Sequence, residues 1–286
     1  LVSAFVVILN ETIMSVAIPH LMVDLEISAS AAQWLTSAFM LTMAVVIPIT
    51  GYLLQRLNTR PVFILAMSAF SAGTLLSGMA PGFEVLLVGR IIQACGTAIM
   101  MPLLMTTVMN LVSPESRGRT MGNISIVISV APALGPTIGG FILEHLEWRW
   151  MFYLVLPIAL AALALGATRI QNVTTPSRAP LDVLSIILSA LGFGGLVYGL
   201  SSLGGDASHG GGATVFPVWV PVVVGVIGLG LFIARQFALQ KREAALLDLR
   251  TFATPVFTVS VIMMGISMMA MFGSLIVLGL DASQPG

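Results

Sequence analysis

Charge is what this chain of 286 residues has least of. Asp, Glu, Lys and Arg make up 8% of it, against about 25% in a soluble domain. Its twelve acidic residues balance its twelve basic ones. No Lys/Arg run or basic tail is present, so nothing supports nucleic acid as a partner and none is expected. Cysteine is almost absent. A single Cys95 excludes an intramolecular disulfide and, with no Cys or His cluster around it, a metal site. The three histidines, His20, His145 and His209, fall at the ends of apolar runs or in loops, where interfacial positions are more common than proton carriers. There is no starting Met and no cleavable signal, so both ends are expected to be cut from something longer.

What the chain has in excess is apolar sequence, 57% of its residues. Nine apolar runs are legible, at about 1–21, 31–54, 61–79, 84–111, 119–143, 150–168, 182–203, 217–239 and 255–280, each long enough to span a bilayer. They lack the period-2 alternation of barrel strands, so they are predicted to be helices. The breaks carry turn and charge signals, among them Arg56-Leu-Asn-Thr-Arg60, Pro81-Gly82 and Ser113-Pro-Glu-Ser-Arg-Gly-Arg119.

Basic residues set the orientation. Arg56, Arg60, Arg117, Arg119, Arg169, Arg178, Arg235, Lys241, Arg242 and Arg250 all fall on one side of this plan. The opposite loops hold Asp24, Glu26, Glu84, Glu144, Glu147 and Asp206, with Arg149 as their one basic residue. The N-terminus is therefore expected in the cytoplasm. Trp34, Trp148, Trp150 and Trp219 fall on the outer side, as interfacial belt aromatics do. Three blocks are expected: a six-span bundle over 1–170, a linker and a two-span pair over 171–245, and the first span of a truncated second bundle over 246–286. Pro19-His-Leu-Met22 and Pro102-Leu-Leu-Met105 resemble each other weakly, as two three-helix repeats would. Aligning them sets Asn10 opposite Gln93.

Within the first run, Leu9-Asn-Glu-Thr-Ile-Met-Ser-Val-Ala-Ile-Pro19, the charge of Glu11 falls near mid-bilayer. A lone charge there costs about 2.5–3.5 kcal/mol on insertion scales and by default marks a functional site with a partner. At about 1.5 Å per residue, Glu11 and Arg90 differ in depth by roughly 6 Å, within reach of an arginine. Gln93 and Thr97 share the helix face of Arg90, and Asn10 and Thr12 flank Glu11, which suggests a water-accessible cavity lined by two helices. The alternative is an ion pair that only holds two helices together. In the fifth run, Ala131, Gly135 and Gly139 recur at i, i+4 and i+8, a small-residue stripe that a second backbone can approach closely. Pro132 and Pro136 remove two helix hydrogen bonds and permit a bend. The methionines Met263, Met264, Met268, Met269 and Met271 suit packing or an adaptable apolar surface. Asp182 opens the seventh span as a helix N-terminal residue.

These segments together resemble the major facilitator superfamily, and within it the fourteen-span drug:proton antiporters of EmrB/QacA type. Residues 9–19 resemble that branch's first-span motif Leu-Asp-x-Thr-Ile-Val-Asn-Val-Ala-Leu-Pro, with Asn10 at the Asp position and Glu11 beside it. Gly51-Tyr-Leu-Leu-Gln-Arg-Leu-Asn-Thr-Arg60 resembles the Gly-x-Leu-Ala-Asp-Arg-x-Gly-Arg-Arg gating loop. It keeps Gly51, Leu53, Arg56 and Arg60, and has Gln55, Asn58 and Thr59 where the loop has Asp, Gly and Arg. Arg90-Ile-Ile-Gln-Ala-Cys-Gly-Thr-Ala98 is similar to the fourth-span Arg-x-x-Gln-Gly motif, with Ala94 for Gly. Gly122 through Gly140 resembles the fifth-span antiporter motif, with Ala131 for the middle Gly and Gly135, Pro136, Gly139 and Gly140 kept. Trp148-Arg-Trp-Met-Phe152 with Pro157 resembles the sixth-span signature.

The resemblance implies an all-α polytopic fold and proton-coupled efflux of lipophilic or cationic compounds, with no cofactor and the proton gradient as energy source. Glu11 and Arg90 would then serve proton coupling, and Asn10, Thr12, Gln93 and Thr97 would line the substrate path. Gly51, Arg56 and Arg60 would form an inner gate. The 131–140 stripe would pack on a helix of the missing half. The partners would be a small lipophilic or cationic substrate, protons and the lipid bilayer, in a monomer of the full-length protein in the cytoplasmic membrane. Transport of a natural metabolite or peptide, an uncoupled facilitator and a non-transporting membrane fragment are the alternatives.

Overall fold

The computed structural model describes residues 1–170, 172, 182–205, 219–240 and 249–282. Among these the chain forms nine α-helices and a short 3₁₀ turn, Leu249–Ala253. The helices are α1 (Val2–Asp24), α2 (Ala29–Arg56), α3 (Thr59–Gly78), α4 (Phe83–Leu111), α5 (Pro114–His145), α6 (Arg149–Arg169), α7 (Val183–Gly205), α8 (Trp219–Gln240) and α9 (Pro255–Ala282). Eight are long and apolar enough to cross a membrane, and α9 adds the apolar stretch Pro255–Ser267. The chain is thus a multi-pass membrane protein, and the nine expected spans coincide with the nine helices.

Local sequence explains the ends. Ser28 caps α2, its Oγ accepting from the Ala31 amide at 3.2 Å, as N-cap serines do. Pro114 starts α5 in its first turn, where the missing N–H costs nothing. Helix α5 begins several residues before the expected 119, so Arg117 and Arg119 lie in its first turns. Arg117 turns back to the preceding segment, donating to the Met109 carbonyl at 2.9 Å and the Val112 carbonyl at 3.1 Å.

Helices α1 to α6 pack as one bundle. Helix α3 lies along α4 and α6, α1 along α5, and α2 against α4. Two apolar clusters fill its interior. One gathers Val6, Val7, Phe63, Phe70, Leu103 and Ala159. The other gathers Leu9, Ala17, Leu21, Leu86, Ala131 and Phe152. Between them in chain position, on α1, α3 and α4, lies a layer of buried polar side chains: Asn10, Ser71, Thr74, Ser77, Arg90, Gln93 and Thr97. Large apolar side chains on the outside, such as Ile126, Phe141 and Leu165, are exposed, as lipid-facing residues must be.

The pair α7 and α8 packs closely on itself and leans on α2. A Cβ on Gly195 would lie 2.8 Å from the Gly225 Cα, so the backbones approach as in small-residue membrane contacts. Asp182 precedes α7 and accepts from the Ile186 amide through its carbonyl at 3.3 Å, as expected for a helix N-terminal residue. Its carboxylate also takes a bidentate ion pair from Arg235 at 2.7 and 2.8 Å and a hydrogen bond from Ser185. Gln236 extends this chain, donating to Ser185 Oγ at 2.9 Å. The Arg235 guanidinium holds the Asp182 carboxyl below the usual carboxylate range. Arg235 lies near the end of α8, within the expected eighth span.

Trp148 departs from its expected place in the interfacial belt. It is 1% exposed, edge-on to Phe152 and covered by the Arg149 guanidinium at 4.4 Å. Position relative to the span end did not reveal this, because the short turn before α6 folds the indole into the core. Trp34, Trp150 and Trp219 are exposed as belt residues are. Arg178, Asp206, His209, Lys241 and Arg242 lie outside the described residues, as do the side chains of Met268, Met269 and Met271.

Candidate functional site

The polar layer centres on Arg90. Its guanidinium is buried, 1% exposed, in the middle of an apolar bundle. A charge in such a place needs partners, and it finds three that carry no charge. Nη1 donates to the Asn10 Oδ1 at 3.3 Å and to the Gln93 Oε1 at 2.5 Å, and the Phe39 ring lies 4.0 Å from the guanidinium carbon. Helices α1, α2 and α4 thus each contribute one contact. Asn10 and Gln93, which the repeat alignment sets opposite each other, converge on the same nitrogen. The layer continues to α3, where the Gln93 Nε2 donates to the Thr74 Oγ1 at 2.8 Å. Thr74 and Phe39 are the members that the sequence did not single out. An intramembrane threonine and phenylalanine are too common to stand out, and only the helix crossing brings them to the arginine.

Glu11 faces elsewhere. Successive helix residues point about 100° apart, so Asn10, not Glu11, reaches the guanidinium. No ion pair joins Glu11 to Arg90 among the described residues. Glu11 lines a cavity of about 470 Å³ with Thr97 and the apolar Val7, Ile8, Met43, Ile47, Ala98, Met101, Pro102 and Met105. Of the four residues expected along the substrate path, Thr97 lines this cavity. Asn10 and Gln93 are buried in the arginine network. Thr12 turns toward α5, its hydroxyl bonded to the Leu9 carbonyl at 3.0 Å.

The small-residue stripe is also placed differently from expectation. A Cβ on Gly135 would lie 2.6 Å from the Thr12 Cβ, and one on Gly139 3.5 Å from Ile13. Ala131 is fully buried. The stripe therefore packs on α1 of its own bundle, not on a helix of another half. Two helices of one bundle meet most closely where both are small, and α5 turns its glycines to α1. Its other face, with Pro132, Leu134, Pro136 and Thr137, is open, Gly122 is exposed and Gly140 half-buried. At the opposite end of α2, Gly51 is half-buried, and Arg56 is exposed, bonded to the Tyr52 hydroxyl with its guanidinium 5.8 Å from that ring. Arg60 is exposed, and its amide donates to the Asn172 Oδ1 at 3.3 Å.

The chain thus places a buried guanidinium network beside a carboxylate-bearing cavity within a bundle of long apolar helices. Residues 1–284 match the Major Facilitator Superfamily, and the chain belongs to it. It is 46% identical over 263 residues to the uncharacterized MFS-type transporter YcnB of Bacillus subtilis, across 92% of this chain and 54% of that protein. It is 42% identical over 280 residues to the lincomycin resistance protein LmrB of Listeria monocytogenes, across 98% of this chain and 58% of that protein. The chain thus spans little more than half the length of these curated relatives. A crystal structure of peptide transporter POT in complex with sulfate shares the fold, with a TM-score of 0.56 at 16% identity over 84% of this chain and 52% of that one.

Proposed function

We propose that a protein carrying this chain exports lipophilic, cationic compounds across the cytoplasmic membrane in exchange for protons, as a member of the fourteen-span drug:proton antiporter branch. The observation that carries this reading is the cavity: one carboxylate, Glu11, in a wall otherwise formed by apolar side chains, a threonine and three methionines. Methionine is unbranched and polarizable, so such a wall adapts to varied apolar shapes. Glu11 supplies the single negative charge that a lipophilic cation needs there. A name such as lincomycin resistance protein on a 42% identical relative agrees with export of a toxic compound.

Water entering the cavity solvates the Glu11 carboxylate, and closure removes that water. The protonation of Glu11 therefore follows the access state. Proton and cationic substrate compete for one carboxylate, which makes their fluxes opposite. Arg90, held apart by its neutral acceptors, biases Glu11 through space and leaves the carboxylate free for either cation. The protein acts as a monomer, with its N-terminus in the cytoplasm and Gly51, Arg56 and Arg60 at the inner mouth.

The test is Glu11→Gln in the complete transporter, reconstituted in proteoliposomes. Substrate-driven proton release is expected to vanish while protein yield is kept. Arg90→Met added to Glu11→Gln is expected not to restore it, since the guanidinium relies on Asn10, Gln93 and Phe39 for its contacts. Proton release that survives in Glu11→Gln removes Glu11 from the mechanism.

A further inference from the structure

We propose that Thr74, on α3, is a positioning residue for Arg90, acting through Gln93. The proposal rests on the reading that the hydrogen-bonded network around Arg90 serves transport. The chain of hydrogen bonds has a direction. The Thr74 hydroxyl gives its one proton to the Phe70 carbonyl at 2.7 Å. Its oxygen is then an acceptor only, and it receives the Gln93 Nε2 at 2.8 Å. The amide group of Gln93 is thereby fixed, with its Oε1 turned toward the guanidinium at 2.5 Å. Arginine has donors alone, so the reverse orientation would set donor against donor at the guanidinium and acceptor against acceptor at Thr74. Thr97, one turn further, bonds only to the Gln93 backbone carbonyl at 3.0 Å and leaves this choice to Thr74.

The backbone brings Thr74 within reach. Beside it, a Cβ on Gly73 would lie 2.6 Å from the Gly89 carbonyl oxygen and 2.8 Å from the Gln93 Cα. Helices α3 and α4 thus meet almost backbone to backbone at the level of Gln93. Thr74 is itself fully buried. The same helix supplies internal controls. Ser71 and Ser77 are also buried, and among the described residues their hydroxyls find no hydrogen-bond partner. A buried hydroxyl on α3 is therefore not enough; the proposal assigns the role to the one bonded to Gln93.

The experiment uses the complete transporter in proteoliposomes, with tetraphenylphosphonium as the probe. Exchange of labelled probe and probe-driven proton release are measured for Thr74→Val, Thr74→Ser, Ser77→Ala, Gln93→Leu and the double variant Thr74→Val with Gln93→Leu. Thr74→Val is expected to lower the maximal exchange rate about tenfold with little change in the half-saturating concentration. Thr74→Ser and Ser77→Ala are expected to stay near the parent protein. The valine effect is expected to vanish in the Gln93→Leu background, as it must if one residue acts through the other. If Thr74→Val fails to fold, Thr74→Cys, with a weaker acceptor of similar size, takes its place. Thermal-unfolding midpoints of the same variants form a second cycle, which reads the Thr74–Gln93 coupling whether or not the probe is transported. Exchange without proton release in the parent protein overturns the antiport reading and leaves this cycle to decide on Thr74. Additive effects of Thr74→Val and Gln93→Leu in both cycles, or equal losses from Thr74→Val and Ser77→Ala, overturn the proposal.

Discussion

Gly73→Ala adds one methyl group where two helices already touch, and its effect is calculable from the contacts. The new Cβ would meet the Gly89 carbonyl oxygen at 2.6 Å and the Gln93 Cα at 2.8 Å. Both are backbone atoms that no rotamer change can move. The Gln93 amide nitrogen would lie closer still, so restoring ordinary contact requires α3 and α4 to separate by about 1 Å, and a gap of that size forfeits up to about half of each van der Waals well it opens. Overpacking of this kind costs about 1–3 kcal/mol. The Thr74–Gln93 bond, 2.8 Å in the structure, is stretched by the same movement, at about 1 kcal/mol. Alanine returns about 1 kcal/mol in helix propensity, so the net loss is about 1–3 kcal/mol. Gly139→Ala is the matched control, because its Cβ would stand at 3.5 Å from Ile13, in ordinary contact. It is expected to be neutral or more stable by about 0.5–1 kcal/mol. Membrane proteins of this size unfold irreversibly, so the assay is a half-life: the monodisperse fraction left after heating in detergent. Gly73→Ala is expected to shorten it about fivefold or more, at about 1.4 kcal/mol per factor of ten. A Gly73→Ala protein as durable as Gly139→Ala would refute the reasoning.

Two further outcomes are expected. Arg235 holds the Asp182 carboxyl below its ordinary range, so the ion pair stabilises the protein fully above about pH 4, the ordinary carboxylate value. That stabilisation is lost as pH falls through the depressed value, and the difference in thermal midpoint between the parent protein and Asp182→Asn is expected to shrink in that direction; a difference that grows on acidification refutes the pairing. In a Cys95→Ser background, a membrane-impermeant maleimide added outside intact cells is expected to label Gly82→Cys and not Asn58→Cys, and the reverse pattern inverts the orientation.

The number and limits of the membrane helices were legible because apolar length and charged breaks are properties of the chain alone. Asn10, Glu11, Arg90 and Gln93 stood out because polar groups in lipid-depth helices are costly. What the sequence could not convey is which neighbour each one meets. Asn10 and Glu11 are adjacent in sequence, yet a rotation of about 100° sends one to the guanidinium and the other to the cavity. Thr74 was invisible because its importance comes from the approach of α3 to α4. The glycine stripe of α5 was recognised as a close-packing surface, but its partner was misassigned. A repeat of small residues specifies closeness and says nothing about which helix comes close.

The α7–α8 pair has a consequence for how the protein is built. Arg235 lies inside α8, close to its last turn, on a helix otherwise almost wholly apolar. Asp182, at the mouth of α7, cancels that charge at 2.7 Å. A hairpin that closes before it leaves the insertion machinery enters the bilayer neutral at that end. Helices that enter singly do not. The ion pair ties α7 to α8 independently of α2, so the two helices are expected to dock on α2 as one unit.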